Sequence, residues 1–410
     1  MRLVVFIPLM AIIGLLSVSP AIAYDYSLGI FGNANLDDTI NEDDLSYVVG
    51  IIDGTNERTE LADANYDGEI DEEDLVQIEA IIDGQEIELI LFDSAGRTVV
   101  VKRPIEKIVC CHSNVVETLR SLDATDKIVG LDDKTLSNEE FFPEFVGISS
   151  VGGWEPDLEK IFELQPDLIF VYPVSGEPVV EKFGQIGIPV ICVDCYKPQT
   201  YVKEVQKLGY VLGKRDEAQE FLDFYLSYMD HIEEVVQAIP DSDKPPVYLG
   251  WKFDPYKTGG QQSGYHWKII AAGGQNIFGD LEPMYPAIDP EEIMERDPQI
   301  IIWTPSKMGG YSLNVNETSD LQTIRQQVLN RPELQGLAAV KNDKVYLITD
   351  HILGGARNFV SIGYLAKWFH PELFQDLDPK AVHQEYLTRF QGLDYDLDGQ
   401  GVFAYPSLDE

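Results

Sequence analysis

Oxygen-bearing side chains recur at a fixed spacing early in this 410-residue chain. One copy runs Asn33, Asn35, Asp37, Thr39, Asn41, Asp44; the next runs Asp63, Asn65, Asp67, Glu69, Asp71, Asp74. Counted within each copy, these are loop positions 1, 3, 5, 7, 9 and 12, with position 7 free to offer its backbone carbonyl. A Ca²⁺ ion takes six to eight hard oxygens, so the implied chemistry is cation binding. Two departures mark the first copy: Asn33 carries no charge, and Asp38 stands at the turn where Gly68 stands in the second. Glycine enters the left-handed region freely and aspartate less so, which makes the second loop the better formed.

Four cysteines offer a second chemistry: Cys110, Cys111, Cys192 and Cys195. A lone CxxC, here Cys192 to Cys195, is a weak zinc signal. Burial, a disulfide between strand-end thiols and metal ligation all remain open.

The charge balance restricts partners. Seventy acidic against 30 basic residues leave −40, which excludes a nucleic-acid footprint. Residues 1–23 read as a secretory signal: Arg2, the apolar run from Leu3 to Leu16, then Ala21-Ile22-Ala23 as a cleavage site. An uncleaved anchor is the alternative, because the run is nearly long enough to span a bilayer. Either way, the expected location is extracytoplasmic.

The elements that position these groups follow from periodicity. After each oxygen-rich loop comes one short helix, 45–52 and 75–82, closed by Asp-Gly. From 87 onward short apolar strands alternate with helices, which predicts a parallel sheet covered by helices. Within this region a unit repeats. Asp157-Leu-Glu159-Lys-Ile161-Phe-Glu-Leu-Gln-Pro166 and its strand return as Asp289-Pro-Glu291-Glu-Ile293-Met-Glu-Arg-Asp-Pro298 and its strand. Each copy has an acidic cap, about two helical turns, a proline stop and a strand. A unit present once per half predicts two similar lobes with a cleft between them. Apolar positions from Ala218 to Ile239 at helical spacing predict one long helix joining the lobes. The expected fold is α/β: two Rossmann-like lobes (88–212 and 244–410) joined by a helix over 214–240, preceded by a small all-α module over 24–86.

Two resemblances follow from these residues. The front module, with a duplicated loop, one helix after each loop and aspartate at position 12, resembles a type I dockerin. That resemblance implies Ca²⁺ in both loops and a cohesin-like partner. The body over 88–375 resembles the Fe³⁺-chelate and vitamin B12 binding proteins of ABC importers. The marks are Asp93-Ser-Ala-Gly96-Arg97, Glu117, Leu158-Glu159 with Pro166-Asp167, Ala272-Gly273-Gly274 and His370-Pro371-Glu372-Leu373-Phe374. The resemblance implies a non-catalytic receptor that captures an iron complex (siderophore or haem) or cobalamin and delivers it to a permease dimer. It also implies that Glu159 and Glu291, one per lobe, meet arginines of that dimer. The plainer reading of both glutamates is interaction with the helix dipole.

Ligands in open α/β sheets bind beyond the carboxyl ends of strands. That rule selects His112, Ser113, Asn114, Trp154 and Tyr172 in the first lobe. In the second it selects Trp251, Tyr256, Tyr265, His266, Tyr311 and Arg357. Aromatics would wall a macrocycle or aryl chelator, Arg357 would pair a ligand carboxylate, and His112 or His266 could ligate iron. Two other classes compete: a surface scaffold component docking through the front module, and a chelatase-like enzyme. No Ser-His-Asp order, Gly-rich phosphate loop or carboxylate pair supports the enzyme. Asp394-Tyr-Asp396-Leu-Asp398-Gly399 starts like a calcium loop, but Tyr405 stands where the closing carboxylate belongs.

Overall fold

A computed structural model describes residues 27–251, 256–305 and 308–408. The signal segment 1–23 lies outside them.

The front module is two loop–helix units. Its helices, Glu42–Ile52 and Glu72–Asp83, begin three residues before the sequence expectation. The reason is capping. Asn41 and Asp71 each accept a backbone N–H of the first turn, while Asp44 and Asp74 reach back to the cap residue's own N–H. Asp38 sits at φ 71° and Gly68 at 97°, so aspartate does occupy the left-handed turn. It is held there by its own carboxylate, which accepts the Leu28 N–H and pairs with Lys203.

A hairpin of β1 (Glu88–Phe92) and β2 (Thr98–Lys102) leads into the first lobe. Its sheet contains β3 (Ile108–Cys110), β4 (Ile128–Leu131), β5 (Ser149–Ser150), β6 (Leu168–Val171) and β7 (Val190–Cys192). All run parallel in the order β5-β4-β3-β6-β7. The second lobe contains β8 (Pro246–Trp251), β9 (Gln275–Asn276), β10 (Ile300–Thr304), β11 (Gly310–Asn314) and β12 (Val345–Ile348), then β13 (Gln400–Val402) and β14 (Ala404–Tyr405). Its sheet runs β14-β12-β10-β8-β9, with β14 antiparallel at the edge and β11 pairing with β13 apart from it. The lobes are therefore cousins, not copies. The first has the Rossmann order; the second has the flavodoxin-like order closed by an antiparallel strand.

Strand period decides the layers. Ile108, Cys110, Leu168, Phe170, Ile300 and Ile302 face the core shared with the connecting helix. Their neighbours Val109, Ile169 and Val171 pack on the opposite face of the first sheet, and Ile301 and Trp303 on that of the second. The repeated unit appears as expected. Helices Leu158–Leu164 and Pro290–Arg296 are capped by Asp157 and Asp289, and end at Gln165 and Asp297 in left-handed conformation just before Pro166 and Pro298.

The connecting helix is Arg215–Gln237, burying Ala218, Phe221, Leu222, Tyr225, Tyr228, Ile232 and Val236. It is not the only crossing between lobes. Beyond the π-helical turn Tyr386–Phe390, the C-terminal segment returns to the first lobe. There Gln391 exchanges hydrogen bonds with Arg120 and Ser121 (2.8 and 2.7 Å), and Tyr395 donates to the Glu140 carbonyl.

The front module has no spacer separating it from the body. Leu28, Ile30, Ile40, Val48 and Ile51 share one apolar core with Leu89, Leu91 and the first lobe. Arg215 donates to the carbonyls of Ile81 and Ile82 at 3.0 and 2.9 Å, holding the module's last helical turn.

Candidate functional site

The strand order reverses between β3 and β6 in the first sheet and between β8 and β10 in the second. Such switch points open crevices at the carboxyl ends of the flanking strands. His112 and Tyr172 follow β3 and β6, and Trp251 ends β8, so the rule places them at the two crevices.

An aromatic series starts at these positions and crosses from lobe to lobe. Ring centroids lie 5.7 Å apart for His112–Tyr172, 6.0 Å for Trp154–Tyr172 and 5.9 Å for Tyr172–Tyr196. The Lys268 ammonium, from the second lobe, lies 5.4 Å from the Tyr196 ring and 5.2 Å from Tyr265. Tyr265 then meets Trp251 at 5.2 Å, and Trp251 meets Tyr285 at 5.6 Å. The lobes approach closely because Gly264 has no side chain; a Cβ there would stand 2.5 Å from the Tyr196 ring. Trp154 is 69% exposed, whereas Lys268 is 1% exposed.

Burial sets the protonation states. It pushes the phenols of Tyr172, Tyr196, Tyr265 and Tyr285 upward, so they stay protonated at neutral pH. Burial, and then the Lys134 charge, push His112 down to about 3, leaving a neutral imidazole. Hydrogen bonding to the Val171 and Val193 backbones acts the other way and is outweighed. All four cysteines are free thiols. Burial raises Cys111 to about 12 and Cys192 to about 11, far from thiolate character. His266 meets Asn276 at 3.2 Å beside Trp267. Among the described residues, no group of three or more His, Cys, Asp and Glu gathers as a metal cage. The site presents protonated hydroxyls and flat apolar walls.

Two expected ligand residues are engaged elsewhere. Arg357 is buried and turned towards Glu117 (3.4 Å), with its guanidinium over Phe141 at 3.7 Å. The Tyr386 hydroxyl donates to the same carboxylate at 2.8 Å. This group ties the first-lobe helix Ser113–Ser121 to the second lobe; it does not present a cation to the cleft. Tyr311 is fully buried, stacked on Tyr395, and its hydroxyl meets His383 at 3.0 Å. Both side chains, which the strand-end rule places in the cleft, are instead turned inward by partners distant in the chain. Ser113 opens its helix, Asn114 donates to the Asp194 carbonyl at 3.2 Å, and Tyr256 is exposed.

Tyr196, Tyr285 and Lys268 escaped the sequence reading. Tyr196 lies four residues past β7, so the strand-end rule applied to that strand would have reached it. Lys268 is one helical turn after Tyr265 on the helix Gly264–Ala271, so the same helical face carries both. Nothing local marks Tyr285.

Glu204 supports the loop that carries Tyr196. Its carboxylate accepts from the N–H groups of Asp194 (2.9 Å) and Cys195 (2.7 Å) and from the Ser94 hydroxyl. Burial, then the Asp194 charge, raise it to about 7. A folded-state pKa above the unfolded value of about 4.3 means that the folded chain binds the proton more tightly. This contribution to stability is present at low pH and is lost as pH rises from about 4.3 to about 7. Thermal melting of Glu204→Gln beside the parent should show a flatter pH profile across that window; parallel profiles would refute the assignment.

The two glutamates expected to meet a permease stand in matched positions. Glu159 and Glu291 are both exposed, and their backbone N–H groups are held by Asp157 (3.1 Å) and Asp289 (2.9 Å).

In the front module, Asp44 and Asp74 are fully buried. Each carboxylate accepts two backbone N–H groups, from Asn35 and Asn41 or from Asn65 and Asp71. Burial raises both pKa values.

Residues 108–351 match the family model described as periplasmic binding protein. The chain is 26% identical over 168 residues to the vitamin B12-binding protein of Salmonella paratyphi A, covering 40% of this chain and 62% of that protein. It therefore spans somewhat under two thirds of the length of the first curated relatives. An uncharacterized ABC transporter substrate-binding lipoprotein of Bacillus subtilis, YvrC, is 22% identical over 291 residues, covering 69% of this chain and 86% of that one. Among solved structures, the TroA-like periplasmic binding protein FepB from Veillonella parvula superposes with a TM-score of 0.63 at 25% identity, covering 77% of this chain and 98% of that one.

Proposed function

Because the chain belongs to the periplasmic binding protein family, we propose that it is the extracytoplasmic substrate-binding protein of an ABC importer. Its cargo is a preformed metal complex, either an iron complex (siderophore or haem) or cobalamin, held between the lobes and handed to a permease dimer. The observation that carries this reading is the aromatic series running from His112 and Trp154 in one lobe to Trp251 and Tyr285 in the other. Flat apolar walls suit a macrocycle or aryl chelate. Protonated phenols and buried thiols do not suit direct ligation of a bare ion. His112, Ser113, Asn114, Trp154, Tyr172, Trp251, Tyr256, Tyr265 and His266 are the ligand residues of this reading. Family membership favours capture and delivery over turnover. Among the described residues no helix is long and apolar enough to cross a membrane.

Titration calorimetry of the full chain against haem, ferric chelates and cobalamin tests it. A dissociation constant in the micromolar range or tighter is expected for at least one, weakened roughly tenfold by Tyr172→Ala (about 1.4 kcal/mol). Absence of binding to all of them would end the reading. Glu159 and Glu291 are assigned to the permease: charge reversal of both should abolish uptake while leaving ligand affinity unchanged.

A second reading concerns the front module. The fully buried carboxylates of Asp44 and Asp74 close two loops whose other side chains at the spaced positions carry oxygens, which fits a dockerin-like Ca²⁺ module docking to a cohesin-like partner. Asn33, Asn35, Asp37, Thr39, Asn41 and Asp44 would hold one ion. Asp63, Asn65, Asp67, Glu69, Asp71 and Asp74 would hold the other. Saturating Ca²⁺ should stabilise the chain by about 2–4 kcal/mol, for ligand at 100 to 1,000 times its dissociation constant. Asp74→Ala should remove most of the effect. A melting temperature indifferent to Ca²⁺ and chelator would refute it.

A further inference from the structure

One helix of the first lobe touches both the front module and the cleft. Residues 29–31 run antiparallel to β1: Phe31 donates to the Ile90 carbonyl at 3.0 Å, and Phe92 to that of Gly29 at 2.7 Å. Beside them lies the helix Pro198–Leu212, with Lys203, Lys207 and Tyr210 on one face. Lys203 pairs with Asp38 of the first oxygen-rich loop at 2.6 Å, and the Tyr210 hydroxyl accepts the Ile40 N–H at 3.3 Å. Between them Lys207 donates to the Phe92 carbonyl at the end of β1, at 2.8 Å. The family match begins at residue 108, so the module and β1 lie outside it.

Glu204, next to Lys203 on this helix, points to the cleft side. Its buried carboxylate fixes the N–H groups of Asp194 and Cys195. The turn after β1 adds to the hold: Ser94 donates its hydroxyl to Glu204, and Asp93 accepts the Cys192 N–H at 3.0 Å. Cys195 stands at φ 50°, a left-handed conformation that costs a residue with a Cβ free energy. Tyr196, the next residue, supplies a ring of the cleft series. The strained turn keeps its shape through Glu204 and the β1 turn, and both rest on the front module.

We propose that the front module is a brace for the cleft: through the helix Pro198–Leu212 and the β1 turn it fixes the loop 194–196, so that loosening the module releases Tyr196. The functional consequence rests on the cleft being the cargo site. If the two oxygen-rich loops hold Ca²⁺, the cation becomes an effector of that site, since a ligand that stabilises one part of a cooperative unit stabilises the rest.

Mass-spectrometric amide exchange on the full chain, without cargo, tests the brace. Chelator in place of Ca²⁺ should speed exchange over 27–85 and, by about threefold or more, over 192–197, with β10 in the second lobe unchanged. The double variant Lys203→Met with Tyr210→Phe should speed 192–197 similarly with Ca²⁺ present; Lys203→Met alone serves if the pair fails to fold. Acceleration confined to 27–85 would overturn the proposal, because the module would then open by itself. Equal acceleration in β10 would also overturn it, as plain loss of global stability. If chelator changes nothing anywhere, the cation is no effector and the variant decides: faster exchange over 192–197 supports the brace, and parental exchange overturns it. Failure of haem, ferric chelates and cobalamin to bind would end the importer reading and leave these exchange results unaffected.

Discussion

Glu117→Ala is expected to lower the free energy of unfolding by about 3–5 kcal/mol, the usual cost of removing one partner from a buried ion pair. Glu117 is 2% exposed, and its carboxylate is shared by Arg357 of the second lobe and by the hydroxyl of Tyr386. Its loss leaves a guanidinium buried over Phe141 with no counter-charge, and a buried phenol without an acceptor. Urea denaturation of the parent, of Glu117→Ala, and of the double variant Glu117→Leu with Arg357→Met provides the test. The double variant should recover much of the loss, because apolar pairs of similar volume often match buried ion pairs. A single-variant loss below about 1 kcal/mol would show that the charges are not buried as described. The functional consequence is geometric: this group pins the helix Ser113–Ser121, which begins beside His112 in the cleft, to the opposite lobe.

Phe221→Ala should cost a similar amount, about 3–5 kcal/mol, for a different reason. Phe221 is fully buried on the connecting helix, with its ring 6.1 Å from Tyr201, 6.1 Å from Tyr386 and 5.2 Å from Phe390. It thus joins the first lobe, the connecting helix and the returning C-terminal segment in one cluster. Truncation removes transfer free energy and leaves a cavity that three rigid elements cannot collapse to fill. Phe221→Leu should recover part of the loss. Equal stability of parent and alanine variant in urea would mean that the cluster is loosely packed.

Much of the fold was legible. The helix–Pro–strand units at 157–171 and 289–304 lie as read, because an acidic cap, a proline stop and an apolar strand are local signals. The connecting helix was visible in its apolar spacing, and the helices of the front module in theirs, with starts displaced by caps formed through Asp44 and Asp74. Tyr172, His112 and Trp251 came from the strand-end rule, and they lie at strand ends that flank the switch points. The rule fails where the relevant partner is far along the chain. Arg357 follows a Gly-Gly turn like a binding residue, yet Glu117, 240 positions earlier (357 minus 117), draws it into the core. Tyr311 is drawn in the same way by His383 and Tyr395.

The sequence by itself determined the α/β class, the two-lobe plan, the long connecting helix, the paired glutamates and the duplicated oxygen loops. Each of these is written in spacing over a few turns or one strand. Only the tertiary structure decided that the lobes carry different strand orders, that the front module shares the body's core, and that the C-terminal segment crosses back to the first lobe. It alone placed Lys268 between Tyr196 and Tyr265. The physical reason is the range of the interactions: capping, proline stops and apolar period act between near neighbours, whereas burial, ion pairing and ring packing depend on which distant segments meet, and no local spacing records that.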